Sequence, residues 1–549
     1  MKRLLPLAFL LALTSPFWDL GHPLWERDDA RYAEVPREMV ESGDWLTPTL
    51  NYLSYIEKPP LMYWLCAASY KLFGVNEAAA RLPLALLALL GILCTWWLGS
   101  WLYSAETGMA AAVILATCAQ YFGLSHVLTP DMAVSVALLW TTALILRCLR
   151  RPEDGRWAGA LAWVAAITAF LSKGLIGLLL PAVWTIGLLV LFPALRKGLR
   201  PLLLNWGMPV FIIVLGAWLA AMESNHPGFL NFFFIEQHFQ RFLTAKYNRP
   251  GPWYFFFAIE FAGSMPWTPL ILAAILEPLA GWRRSDPRDL QLSLWVALVF
   301  IFFTVSSSKL LTYILPLFAH QAVLGARLMG RLAKSPRLER GVRCGAVAIG
   351  VVFAAACVLA PFVAPRLGLP FALPTGVLTA AMVFLTAMAA TQLLLARGQF
   401  TSGGGQRALA GIALLALTAY AMPVVGTRLI TDELSVKSMT RDLNARIAAL
   451  DSGKSLRLLS YDFYPHGVSF YTGLPVDMIN WVGELHYAKR FPQNKHRFGD
   501  DEKIWDLPIP GRRTFVILER TELRHFIRQN PPEEVRRLTQ HGPWVLAEF

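Results

Sequence analysis

"WERDDARYAEVPREM", residues 25–39, follows an apolar run at 4–20, and "YIEKPPLMYW", residues 55–64, comes shortly after it. The first stretch holds Glu26, Asp28, Asp29, Glu34 and Glu38 with Arg31 and Arg37, and the second adds Glu57 and Lys58. Charge this dense does not sit in hydrocarbon, where each ionised side chain costs at least ~2.5 kcal/mol. It reads as a loop outside a membrane, and the runs around it decide whether the rest of the chain lies within one.

They place it there. The 549 residues are 55% hydrophobic and 16% charged, too apolar for a soluble chain of this length. Runs near the ~20 residues that cross a bilayer recur to about residue 428. We read 13 spans: 4–20, 79–103, 107–123, 130–149, 157–172, 174–193, 203–222, 254–278, 289–305, 310–328, 343–363, 371–396 and 407–428. The expected fold class is a polytopic α-helical membrane protein. The first run lacks a small-x-small cleavage site before "FWDLGHP", so it reads as an uncleaved span.

The net charge of +13 follows membrane orientation. Basic residues gather in alternate loops, "RCLRRPEDGR" 147–156, "LRKGLR" 195–200, "GWRRSDPR" 281–288 and "RLMGRLAKSPRLERGVR" 327–343, as the positive-inside rule requires. That pattern argues against a nucleic-acid partner and suits contact with anionic lipid. The six cysteines lie in or beside apolar runs without CxxC spacing, so neither a disulfide framework nor a zinc ribbon is expected.

Two divisions are expected: a transmembrane part, 1–428, and an external α/β domain, 429–549. Within the first, external loops run over 21–78, with interfacial helices at 28–42 and 61–74, and over 223–253. "TSGGGQR" 401–407 reads as a flexible inner loop. The tail alternates helical pattern ("ELSVKSMTRDLNARIAAL") with strand pattern ("SLRLLSYDF", "RTFVILER", "WVLAEF").

Several ionisable residues fall at one expected depth, the outer interface. Asp28 and Asp29 precede a helix carrying Arg31, Glu34 and Glu38. Glu57 and Lys58 enter a rigid Pro59–Pro60 stretch, and Asp131 follows Pro130 at the mouth of a span. His238 and Arg241 are three apart in "HFQRF", and Lys309 and Tyr313 are four apart, flanking Thr312. Taken singly, such residues anchor helices or snorkel to headgroups. Asp28 alone could be an N-cap, His238 an aromatic-belt residue, Glu260 a bonded group inside the bundle, and Lys173 the mark of an outer turn. Taken together, cations at one level pair with phosphate, while carboxylates act as a base or hold an amine or a metal.

The stretch "DDARYAEVPREMVESGDWLTPTLNYLSYIEKPPLMYW" resembles the first external loop of the GT-C glycosyltransferases related to protein O-mannosyltransferases. Its lipid A aminoarabinose branch is the most similar. The shared features are an acidic pair followed by "RYAE", "REM", "SGDW" and "EKP". Further on come Phe233, Phe234, His238, Arg241 and Phe242 of an "FFxxxHxxRF" stretch, then "AGS-PW" at 262–267 and "KLxTYIL" at 309–315. The match runs over residues 1 to about 330 and is looser beyond.

The resemblance implies a GT-C fold acting at the periplasmic face of a bacterial inner membrane. It implies undecaprenyl phosphate-linked 4-amino-4-deoxy-L-arabinose as donor and a phosphate of lipid A as acceptor, with resistance to polymyxin as the outcome. It gives Asp28 as the catalytic carboxylate, Glu57 as its partner near the sugar or its amine, and Asp131 and Arg31 as supporting residues. Lys58, Arg241, Lys309 and Tyr313 would hold the carrier phosphate, with Tyr55 beside them. Related GT-C enzymes often use a divalent metal, for which His238 is the candidate ligand. Within the class, a protein or glycan acceptor is the alternative. Outside it, a lipid transporter or flippase would place its charges near the midplane and show inverted repeats, which this chain does not.

Overall fold

The computed structural model describes residues 4–240, 251–366, 374–398, 404–450, 455–500, 512–529 and 535–549. The chain forms two compact units. One comprises Met1–Asp19, Pro83–Phe362 and Thr379–Val424, and the other Leu20–Leu82, Val363–Leu378 and Val425–Phe549.

The first unit is helical, and every apolar run expected to cross the membrane carries helix in it. Among the described residues seven helices are long and apolar enough to cross by length and composition: Glu77–Leu102, Pro130–Arg150, Gly207–Asn225, Pro287–Val305, Pro336–Val363, Thr375–Arg397 and Gly405–Leu429. Of the other runs, 157–172 is a continuous helix of 19 residues, Gly155–Lys173, that is less apolar, and the rest are shorter or interrupted helices. Small residues bring neighbours close: a Cβ on Gly207 would lie 2.4 Å from the Ala160 carbonyl oxygen of helix Gly155–Lys173.

The run at 254–278, read from sequence as one continuous span, is broken. Helices Phe255–Gly263 and Thr268–Ala280 meet at 118°. Pro266 and Pro269 each lack an N–H, so the ladder cannot run through, and the freed carbonyls find partners instead. Met265 O accepts from Ala119 N at 2.9 Å and Tyr420 Oη at 3.0 Å, and Pro266 O accepts from Gln392 Nε2 at 2.7 Å. The run at 310–328 likewise opens as a 3₁₀ turn, Leu311–Leu317, before helix Phe318–Met329.

The second unit is built from both ends of the chain. A hairpin pairs β1 (Thr49–Leu50) with β2 (Leu53–Ser54) through Asn51 and Tyr52, both at positive φ (57° and 60°). That is the backbone a two-residue type I′ turn requires. Six further strands form one sheet: β3 (Ser455–Tyr461), β4 (Asp477–Ile479), β5 (Phe498–Gly499), β6 (Arg512–Glu519), β7 (Arg537–His541) and β8 (Trp544–Glu548). Their order is β5-β4-β3-β6-β8-β7. The β3–β6 pair is parallel, with Leu459 opposite Val516, and β6–β8 is antiparallel. Leu459, Tyr461, Val516, Leu518, Phe526 and Val545 are the buried core against it. The Asn51 side chain docks the hairpin on this part: its Nδ2 donates to Val476 O at 2.6 Å and its Oδ1 accepts from Val476 N at 2.8 Å.

Candidate active site

Helix Asp28–Ser42 begins one residue after Arg27, which takes a φ of 75° and serves as the N-cap. Asp28 is therefore not the cap its position suggested; its carboxylate turns to Arg31. The helix is buried on its charged side as well as its apolar one: Asp29, Arg31, Glu34, Arg37 and Glu38 are all buried alongside Tyr32, Val35 and Met39.

The two adjacent aspartates part company here. Asp29, 1% exposed, accepts from Trp25 N at 3.1 Å and pairs with Arg81, which is fully buried. Arg81 also donates to the carbonyls of Leu20 at 2.9 Å and Pro23 at 3.2 Å, so the pair pins the entry of the loop. The Asp28 side chain is 46% exposed. Arg31 Nη2 meets Asp28 Oδ1, and Arg31 Nη1 meets Glu484 Oε1. Glu484 comes from the turn after β4, a partner that sequence spacing gave no reason to suspect.

Glu57 is buried, with Lys58 Nζ 3.9 Å from Oε2 and His486 Nδ1 3.5 Å from Oε1. Tyr55 and Tyr63 feel the charges of both Arg31 and Glu57, so the Asp28–Arg31 and Glu57–Lys58 groups share one neighbourhood. Burial pushes both phenols well above their usual range, so they stay neutral.

Behind this layer Arg37 makes a bidentate pair with Glu34 at 2.6 and 2.7 Å, and Glu38 accepts from Tyr52 N at 2.9 Å, holding the strained hairpin turn. Burial raises the carboxyls of Glu34 and Glu38. It pushes Glu26 up to about 8, against the amide of Gly467 and other backbone donors. His466, on the loop after β3, is held down to about 4, mainly by burial, and so is neutral at pH 7.

In the helical unit Asp131 is in the first turn of Pro130–Arg150 and pairs with Lys173, the last residue of helix Gly155–Lys173. Lys173 thus does more than mark a turn. Its ammonium lies 4.5 Å from the centre of the Tyr313 ring. Asp131, Lys173 and Tyr313 stand at the polar end of a small cleft whose walls include Leu138, Ile176, Leu180 and Phe303.

Lys309 is elsewhere. It lies in the loop after Val305, so it shares no helical face with Tyr313. Its Nζ donates to the carbonyls of Thr304 at 2.9 Å and Ser306 at 3.0 Å, capping a helix C-terminus. His238 falls in the π-helix Asn231–Gln240, but its side chain lies outside the described residues, as does Arg241. Among the described residues no three His, Cys, Asp or Glu gather as ligands of a metal would, and no step below is routed through one.

Residues 57–221 match the family model described as dolichyl-phosphate-mannose-protein mannosyltransferase. Among curated proteins, the chain is similar to the undecaprenyl phosphate-alpha-4-amino-4-deoxy-L-arabinose arabinosyl transferase of Aeromonas salmonicida, with 32% identity over 63% of this chain and 62% of that one. The like-named enzyme of Yersinia pestis is 30% identical over 65% of this chain and 64% of its own length. The chain thus spans somewhat less than two thirds of the curated relatives it matches. Among solved structures, ArnT from Cupriavidus metallidurans bound to undecaprenyl phosphate superposes with a TM-score of 0.80 at 25% identity, covering 99% of this chain and 97% of that one. The apo form gives a TM-score of 0.79.

Proposed function

We propose, for a multi-pass membrane protein that has the GT-C glycosyltransferase fold and is related to the aminoarabinose transferases, that it moves 4-amino-4-deoxy-L-arabinose from undecaprenyl phosphate to a phosphate of lipid A. The reaction would occur at the periplasmic face of the inner membrane and make the cell resistant to polymyxin and other cationic peptides. The observation that carries this reading is the near end-to-end likeness to a transferase solved with the carrier lipid bound.

In the transfer, an acceptor phosphate oxygen forms a bond to the anomeric carbon. The bond from that carbon to the carrier phosphate breaks, and its electron pair leaves with undecaprenyl phosphate. A phosphate monoester loses its second proton near pH ~6, so the acceptor needs aiming more than strong deprotonation. Asp28 has the exposure to orient it or take a residual proton, while Arg31 screens the two negative groups from each other. Asp29, locked to Arg81, has neither the access nor the freedom.

Glu57 suits the sugar's ammonium, with Lys58 limiting its own charge. The leaving phosphate calls for cations and donors, for which Lys58, Arg241, Lys309 and Tyr313 are the candidates. The Asp131–Lys173 pair joins them because it closes the polar end of an apolar cleft. A polyprenyl chain is held in the membrane by its many methylenes at ~0.8 kcal/mol each, so selectivity rests on these polar groups. The family model's description favours a second reading, a protein acceptor.

Mass spectrometry of lipid A, from a strain lacking its own transferase and supplied with this chain, tests the proposal. The expected result is the added mass of aminoarabinose on phosphate. Unmodified lipid A together with a glycosylated protein fraction would favour the second reading instead.

A further inference from the structure

The parallel strands β3 and β4 both end, at their C-terminal edge, in residues with positive φ, Asp462 at 58° and Asn480 at 57°. Backbone strain of this kind persists only where its surroundings fix it, and open α/β sheets place their working groups at this edge. From the loop after β3 comes His466, buried, with no hydrogen bond to either ring nitrogen among the described residues. From the turn after β4 come Glu484, on Arg31, and His486, on Glu57. The same edge therefore reaches the two carboxylates singled out in the first loop.

We infer that the C-terminal sheet is part of the reaction centre, and that Glu484 is a positioning residue which sets the aim of Asp28 through Arg31. The inference rests on the reading that Asp28 acts on the acceptor. The two ends of one guanidinium are occupied by two carboxylates, and the Arg31 side chain is only 6% exposed. While Glu484 takes one end, Asp28 has a shared partner, held by Oδ1 and less neutralised than in a one-to-one pair. Without Glu484 one end of the Arg31 guanidinium is unanchored, and the Asp28 carboxylate that it holds loses its fixed aim. The charged and titratable groups facing this pair are Glu484 and His466 from the sheet loops and Tyr32 and Tyr55 from the first loop. His466 and the phenols stay neutral over the working range, so Glu484 is the variable.

The test uses the full-length enzyme with donor lipid and lipid A. Glu484→Gln is expected to lower kcat by up to about 100-fold, the cost of a small misplacement of a reacting group, with KM for the donor unchanged. Glu484→Asp should recover part of the rate, and Asp28→Asn/Glu484→Gln should be no slower than Asp28→Asn alone. A parent-like Glu484→Gln enzyme beside an inert Asp28→Asn overturns the inference alone. So does a Glu484→Gln enzyme whose loss falls on the donor KM rather than on kcat, or a double variant slower than Asp28→Asn. An Asp28→Asn enzyme as fast as the parent overturns the role of Asp28 and this inference with it.

Discussion

Two aspartate–cation pairs of the same chemistry sit in different regions and differ in access. Asp29–Arg81 in the first loop is sealed, at 1% and 0% exposure, and Arg81 is further bound to backbone carbonyls. Asp131–Lys173 in the helical unit is 10% and 18% exposed and lines a cleft with an aromatic ring. The first pair is closed to any ligand from solvent. The second keeps ammonium hydrogens and a carboxylate oxygen within reach of one. The two pairs differ in openness rather than in charge.

Breaking the sealed pair should have the largest effect. Arg81→Ala leaves Asp29 buried and unpaired, which typically costs about 3–5 kcal/mol, and should appear as lost folded protein in detergent unfolding scans. Asp28→Asn, one residue from the sealed aspartate, should leave unfolding nearly unchanged, since its side chain is half open, yet lower transfer by about 10²–10⁴-fold. Equal stability losses at Asp28 and Asp29 would erase the distinction. Lys173→Met should raise KM for the carrier lipid about tenfold, the order of one charge-assisted contact to phosphate, and cost less stability than Arg81→Ala because this pair is more open; an unaltered KM would make the open pair a scaffold too.

A further effect is on pH dependence. Glu26 has a folded pKa of about 8 against an ordinary 4.5. The folded state therefore binds its proton more tightly, and stability is full below pH ~4.5 and falls as pH rises towards 8. Glu26→Gln should flatten that slope in thermal midpoints measured from pH 5 to 8. An unchanged slope would assign it to other groups.

Much of this was legible in the sequence, and the reasons are physical. Apolar runs report helices because a bilayer tolerates little else, and the helix at 28–42 announced itself by its period. The 118° break was written in Pro266 and Pro269, but apolar content on both sides masked it. Asp28, Arg31, Glu57, Lys58 and Tyr55 were found because they are near neighbours in the chain. Glu484 and His486 were missed because their partners lie more than 400 residues away, and a short "GELHY" carries no period. Lys309 and Tyr313 were placed together at the start of a span, across a stretch that is loop and 3₁₀ turn.

The hydrogen bonds between Asn51 and Val476 span 425 positions. During synthesis the first loop therefore waits, with one wall missing, until about seven eighths of the chain has been made. A nascent or prematurely terminated product could be inserted in the bilayer and still be inert.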